Sequence, residues 1–156
     1  MIILGLDPGT NRIGYGLIRK TGTELELLNF GTLEIKEKSP GERLVRLAAS
    51  LQKIINVHKP QVAAVESLFF FKNKKTALPV AEARGVILLT LQKNELSFLE
   101  FSPREVKSLV TGWGGSDKKS VQKIVALTLG VKSLRGYDDA SDALAIAIAA
   151  SFKIKN

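Results

Sequence analysis

The sequence predicts an α/β layer fold, a mixed five-stranded sheet with helices on both faces. Three observations carry this. Apolar stretches around Ile2, Ile13 and Leu25 follow one another closely, as strands of a meander do. Two further stretches, Val62–Val65 and Ser97–Phe101, alternate instead with long segments whose apolar residues recur at helical spacing. The chain has 156 residues, 45% of them hydrophobic, enough for one domain spanning 1–156 with a real core.

The first strand ends on a lone acid, Asp7, in Leu6-Asp7-Pro8-Gly9-Thr10. Pro8 biases Asp7 to an extended backbone. Pro8-Gly9 suits the middle of a type II turn. A second strand follows around Ile13, Tyr15, Leu17 and Ile18. Leu25–Ile35 reads as a third, with partial alternation at Leu27, Phe30 and Leu33. Pro40 opens a helix whose apolar positions are Leu44, Leu47, Ala48, Leu51, Ile54 and Ile55, and Pro60 closes it. Val62–Val65 fits a buried parallel strand. It ends in a second acid, Glu66. Ser67–Lys75 joins it to a second amphipathic helix, Thr76–Lys93, with Leu78, Ala81, Val86, Leu89 and Leu91 among its apolar positions. After the fifth strand, Ser102-Pro103-Arg104-Glu105 fits a capping box with Pro at the first helical position. A glycine-rich loop, Gly112–Gly115, leads to a helix over about Asp117–Leu129, and a last helix runs from near Asp138 through Ala150.

Composition narrows the chemistry. There is no cysteine, which excludes disulfides, thiolate zinc sites and cysteine nucleophiles. The single histidine, His58, looks like a solvated helix end, so a Ser-His-Asp triad is not expected. No apolar run is long enough to span a membrane, and the N-terminus lacks the pattern of a signal peptide. Carboxylates, lysines, hydroxyls or bound metal remain. The net charge is +8, with +2 over residues 1–66 and +6 over 67–156. Such an excess suits a polyanion partner, although many basic proteins have none.

On the last helix Asp139, Asp142, Ala143 and Ile146 stand at i, i+3, i+4 and i+7, so they share one face. Small residues along that stripe, Ala147 and Ala150 among them, let the helix lie close on the sheet. An acid at a helix start commonly caps N–H groups and meets the positive dipole end, the plain reading of Asp139 and of Asp138. Asp142 lies a turn further in, on the apolar side. Asp7, Glu66, Asp139 and Asp142 are thus candidates to converge. Mg²⁺ takes hard oxygen ligands, and two ions about 3.5–4 Å apart can clamp the attacking and leaving oxygens of an in-line phosphoryl displacement. The plain alternative for Asp7 is an acid that opens a turn through its own side chain.

Five motifs carry a resemblance: Leu4-Gly5-Leu6-Asp7-Pro8-Gly9-Thr10, Arg12-Ile13-Gly14-Tyr15-Gly16, Glu66-x-x-Phe69, Ala83-Arg84-Gly85 and Asp139-x-x-Asp142-Ala143-Leu144-Ala145. Together they resemble the RuvC family of Holliday junction resolvases, in order and over nearly the whole chain. The resemblance implies an RNase H-like fold and a homodimer in the bacterial cytoplasm. It implies Asp7, Glu66, Asp139 and Asp142 as catalytic, metal-binding acids for Mg²⁺, two per site with Mn²⁺ able to substitute. It implies paired, symmetric nicks in a four-way DNA junction and work beside a branch-migration helicase. Phe69 matches the family's aromatic at the opened junction centre. Lys107 and Lys118 match lysines near the scissile phosphate, with Lys119 the other register for the latter.

Phe69–Phe71 precede Lys72, Lys74 and Lys75, a pattern that suits base stacking beside phosphate contacts. For Phe70 and Phe71 packing in the core or a dimer interface is the favoured reading. Arg104 and Lys119 are candidate contacts to the DNA backbone. Gly112–Gly115 suits either phosphate-binding N–H groups or a connector, and Trp113 within it either an anchor or an exposed ring. Three rival functions are an RNase H-like nuclease acting on RNA, a nucleotide phosphotransferase built on Asp-x-Gly-Thr, and a non-catalytic DNA-binding module. The phosphotransferase architecture needs two lobes, for which the chain is short.

Overall fold

The computed structural model describes residues 1–67, 74–134 and 138–154. Its sheet has the strand order β3-β2-β1-β4-β5. β1 (Ile2–Asp7), β2 (Arg12–Thr21) and β3 (Glu24–Glu34) form the antiparallel meander. β4 (Val62–Glu66) and β5 (Phe98–Phe101) add in parallel beyond β1. Among the described residues the helices are α1 (Pro40–His58), α2 (Lys74–Lys93), α3 (Pro103–Thr111), α4 (Lys118–Thr128) and α5 (Asp138–Lys153).

Alternation along the strands makes two cores. Leu4, Leu6, Leu17, Ala63 and Val65 point to one face and meet Leu47, Leu51 and Ile55 of α1 with Ala83, Ile87 and Leu91 of α2. Ile3, Ile18, Val62 and Ala64 point to the other and meet α5, with Val106 of α3 and Val121 and Val125 of α4 behind it. The sheet is therefore covered on both faces, as its parallel half requires.

The stripe of small residues on α5 meets a complementary strip of glycines. A Cβ on Gly5 of β1 would stand 2.0 Å from the Ala143 carbonyl oxygen and 2.8 Å from the Ala147 nitrogen. One on Gly14 of β2 would stand 1.9 Å from the Asp139 carbonyl oxygen, and one on Gly16 would strike Leu144. Helix backbone thus rests directly on strand backbone, which fixes where the head of α5 sits over the ends of β1 and β2.

Two local expectations need correction. Gly9 does not take the positive φ that a type II turn at Pro8-Gly9 demands; the positive-φ glycines are Gly22, Gly112 and Gly130. A glycine stands at position 9 because a side chain there would meet the Arg12 carbonyl oxygen at 2.1 Å. In α2 the buried row is Ala83, Ile87 and Leu91, whereas Leu78 and Leu89 are 69% and 56% exposed. This helix is apolar on more than one side, so spacing alone does not single out the core face.

The capping box of α3 forms as expected. Ser102 Oγ accepts from the Glu105 N–H at 3.2 Å, and the Glu105 carboxylate accepts from the Ser102 N–H at 2.8 Å. Ser102→Ala loses about 1 kcal/mol of stability in a urea unfolding experiment; no loss would contradict the cap.

Candidate active site

The same alternation that builds the core aims the acids. In β1, Ile3, Gly5 and Asp7 share a face, and Gly5 lies against α5. In β4, Val62, Ala64 and Glu66 share a face, and Val62 and Ala64 belong to the α5 core. Leu6 is paired with Val65, so Asp7 and Glu66 end two adjacent parallel strands side by side. Asp139 and Asp142 come from the first turns of α5, whose backbone lies over Gly14, the cross-strand partner of Asp7. Four carboxylates from three elements are gathered at the carboxyl end of the parallel strands, where α/β sheets commonly bind ligands.

Their electrostatics show the proximity. Burial, then repulsion from Glu66, Asp142 and Asp139, pushes the Asp7 carboxyl well above its ordinary range. Burial and Asp142 push Glu66 up to about 7, with Lys107 pulling the other way. Asp142 is raised by burial and by Asp138 and Asp139, against the pull of Lys118. Two of the acids have cationic partners. Lys118 Nζ donates to Asp142 Oδ2 at 2.9 Å and lies 3.9 Å from Asp138 Oδ2. Arg12 Nε lies 3.0 Å from Asp139 Oδ2. Burial pulls the Lys118 ammonium toward neutrality, but its bond to Asp142 and the surrounding acids leave its pKa raised.

A pocket of about 200 Å³ is lined by Glu66, Lys107, Lys118 and Asp142 over the apolar floor of Val106, Val121, Ala145 and Ile146. The carboxylate oxygens of Asp7 and Glu66 accept no hydrogen bond from the described residues, and the set of oxygens offered to an ion is all carboxylate. That is the chemistry of a hard divalent cation such as Mg²⁺ or Mn²⁺. Among the described residues no three acidic or imidazole groups are drawn together tightly enough to make a ready cage. Two of the four acids are paired with cations instead, Asp139 with Arg12 and Asp142 with Lys118.

Known proteins resemble this chain. Residues 3–150 match the family model described as crossover junction endodeoxyribonuclease RuvC. The chain belongs to the RuvC family. The RuvC of Caldicellulosiruptor saccharolyticus is 43% identical over 150 residues, covering 95% of this chain and 90% of the relative. That of Chloroflexus aggregans is 46% identical over 149 residues, covering 95% and 91%. A structure of Thermus thermophilus RuvC in complex with Holliday junction substrate matches with a TM-score of 0.91 at 28% identity, covering 98% of this chain and 94% of that one. The mixed sheet is thus the RNase H-like sheet of RuvC.

The remaining residues singled out from the sequence fall into three groups. Lys107 and Lys118 lie at the acids, while Lys119 lines a separate groove on the far side of α4. Arg104 is exposed and packs beside Gly114 of the glycine-rich loop. Phe69, with Phe70, Phe71 and Lys72, lies outside the described residues. Trp113 is 69% exposed, so it does not anchor its loop in the core.

Arg12 is a site residue that the sequence does not single out, although it stands within one of the RuvC-like motifs. Its placement follows from β2 opening beside the loop after Asp7, and no spacing rule connects it to Asp139. Asp138, expected as a cap, has a further part: its Oδ1 accepts from Gln122 Nε2 at 2.9 Å, which ties α4 to the head of α5.

Proposed function

We propose that this RuvC-family protein resolves four-way DNA junctions in the bacterial cytoplasm by paired phosphodiester hydrolysis at symmetric positions, acting as a two-fold dimer. The observation that carries the reading is the meeting of Asp7, Glu66, Asp139 and Asp142 at one sheet end, in a family named for crossover junction cleavage. These four acids are the residues that would hold Mg²⁺, two ions per site, with Mn²⁺ able to replace it. Ions held there supply activation of water and stabilisation of the leaving oxygen in an in-line displacement.

The chain's own side chains do the rest. Four carboxylates repel a phosphodiester, so a phosphate reaches them only where cations offset that field. Lys107 and Lys118 place two ammonium groups on the same pocket wall. Arg12 adds a third positive group beside Asp139. Phe69 is assigned to the opened junction centre, and Arg104 to the DNA backbone. Leu78 and Leu89 leave an apolar face of α2 exposed, which suits a second copy of the chain. A dimer supplies two sites related as the two cut strands are related. A branch-migration helicase is the proposed partner, on the strength of the family alone.

The test is a labelled four-way junction incubated with protein and Mg²⁺. Paired nicks at symmetric positions are expected. Preferential cutting of RNA, ATP turnover without DNA, or binding with no cutting would each replace this reading with one of its rivals.

A further inference from the structure

Resting on that reading of the site, we infer that α4 carries a second, non-catalytic DNA-binding surface, a lysine-lined groove that holds the phosphate backbone of a junction arm as it leaves the active site. The groove is about 700 Å³ and lies on α4 and the segment after it, with Lys119, Lys123 and Lys132 on its rim and Ala126, Leu127 and Val131 along its floor. All three lysines are exposed. None of them makes an ion pair among the described residues, and no acid lines the groove.

Folding gives no reason for this arrangement. Lys119 and Lys123 stand at i and i+4, where like charges destabilise a helix. An acid at either position would have stabilised it. The cost is offset by a partner that is negative along a line. The two lysines are separated by about 6 Å along the helix axis, a spacing that lets them meet neighbouring phosphates of one strand. Lys132 continues the row past the end of α4.

One helix, α4, contributes to both the groove and the site. On one row of α4, Lys118 bonds Asp142 and Gln122 bonds Asp138. On the adjacent row, Lys119 and Lys123 face the groove. A junction arm that leaves the site at Lys118 meets Lys119 about 100° further around the same helix. A nucleic-acid backbone fits this charge better than an acidic protein does, because lysines spaced along a line match a strand's evenly spaced phosphates and meet them as point charges without a side-chain-specific pattern.

The test is the double variant Lys123→Gln/Lys132→Gln, compared with the unaltered protein. Binding to a fluorescent four-way junction is followed by anisotropy in EDTA over a range of salt. Failure of the unaltered protein to bind the junction would count against the functional reading itself. If it binds, the variant is expected to bind about 10-fold more weakly or worse. Its slope of log K against log salt should be shallower by about 0.9 for each phosphate that is no longer neutralised. The weakening should vanish when the arms are cut back to a few base pairs. Single-turnover cleavage at saturating junction with Mg²⁺ should stay within about two-fold, and the melting temperature should not move. An unchanged salt slope, a weakening independent of arm length, or a fall in the saturated cleavage rate would each overturn the proposal.

Discussion

Asp7→Asn cuts junctions about 1000-fold more slowly while making the metal-free protein more stable above neutral pH. The Asp7 carboxyl is buried at the end of β1 among Glu66, Asp139 and Asp142, and its pKa is raised well above the ordinary value. In the unfolded chain the same group ionises in the usual carboxylate range. Between those two values the folded state holds the proton and the unfolded state does not, so this group's contribution to stability falls as pH rises. Above the folded value the full penalty of a buried, repelled charge is present. Asparagine keeps the shape and removes the charge.

The expected gain at pH 8 in EDTA is on the order of 5 °C in melting temperature. It shrinks as pH falls and the native Asp7 takes up its proton. Glu66, raised to about 7 from 4.5, acts in the same direction, losing stability as pH rises through that window. Mg²⁺ reverses the order, because a ligand that binds only the folded native protein stabilises it. Cleavage falls about 1000-fold, the loss of several kcal/mol of ionic stabilisation in the transition state, while junction binding persists. A variant that cuts normally, or one less stable than the native protein in EDTA at pH 8, would remove Asp7 from the metal site.

The largest stability effect belongs to a residue without a side chain. Gly5→Ala puts a methyl group 2.0 Å from the Ala143 carbonyl oxygen and 2.8 Å from the Ala147 nitrogen. Backbone atoms cannot turn aside as a side-chain end can, so α5 has to lift from the sheet. Overpacking of this kind costs about 3 kcal/mol, read by urea unfolding. The function suffers as well, because α5 carries Asp139 and Asp142 while Asp7 stays with β1. Ion affinity measured on the folded variant should drop accordingly. Gly41→Ala, where nothing lies within 4 Å, is the control and should stay within about 0.5 kcal/mol of the native protein. Equal behaviour of the two variants would mean that the close helix–sheet approach does not govern this fold.

What the residues disclose in advance follows from periodicity. The period of two places Asp7 on the face of Ile3 and Gly5, and Glu66 on the face of Val62 and Ala64; the period of 3.6 places Asp139 and Asp142 over them. The placement of the acids at one sheet end is legible for that reason, and the capping box of α3 because its signal is local. The turn after Asp7 departs from expectation because glycine answers two different needs, positive φ and close approach, and only the second applies at Gly9. The core face of α2 is blurred because Leu78 and Leu89 are apolar yet exposed. Arg12 is hidden because its contact with Asp139 spans most of the chain, and no local rule couples residues so far apart. Lys118 and Lys119 differ by one position and therefore by about 100° around α4, which is why one meets Asp142 and the other the groove.

The central claim is that carboxylates from β1, β4 and α5 share divalent ions in one pocket. The most direct measurement is anomalous diffraction from crystals of the protein soaked in Mn²⁺. The account predicts manganese peaks within about 2.3 Å of the carboxylate oxygens of Asp7 and of at least two of Glu66, Asp139 and Asp142, with Asp139 or Asp142 released from Arg12 or Lys118. Manganese bound only elsewhere, with both ion pairs intact at saturating metal, would contradict it.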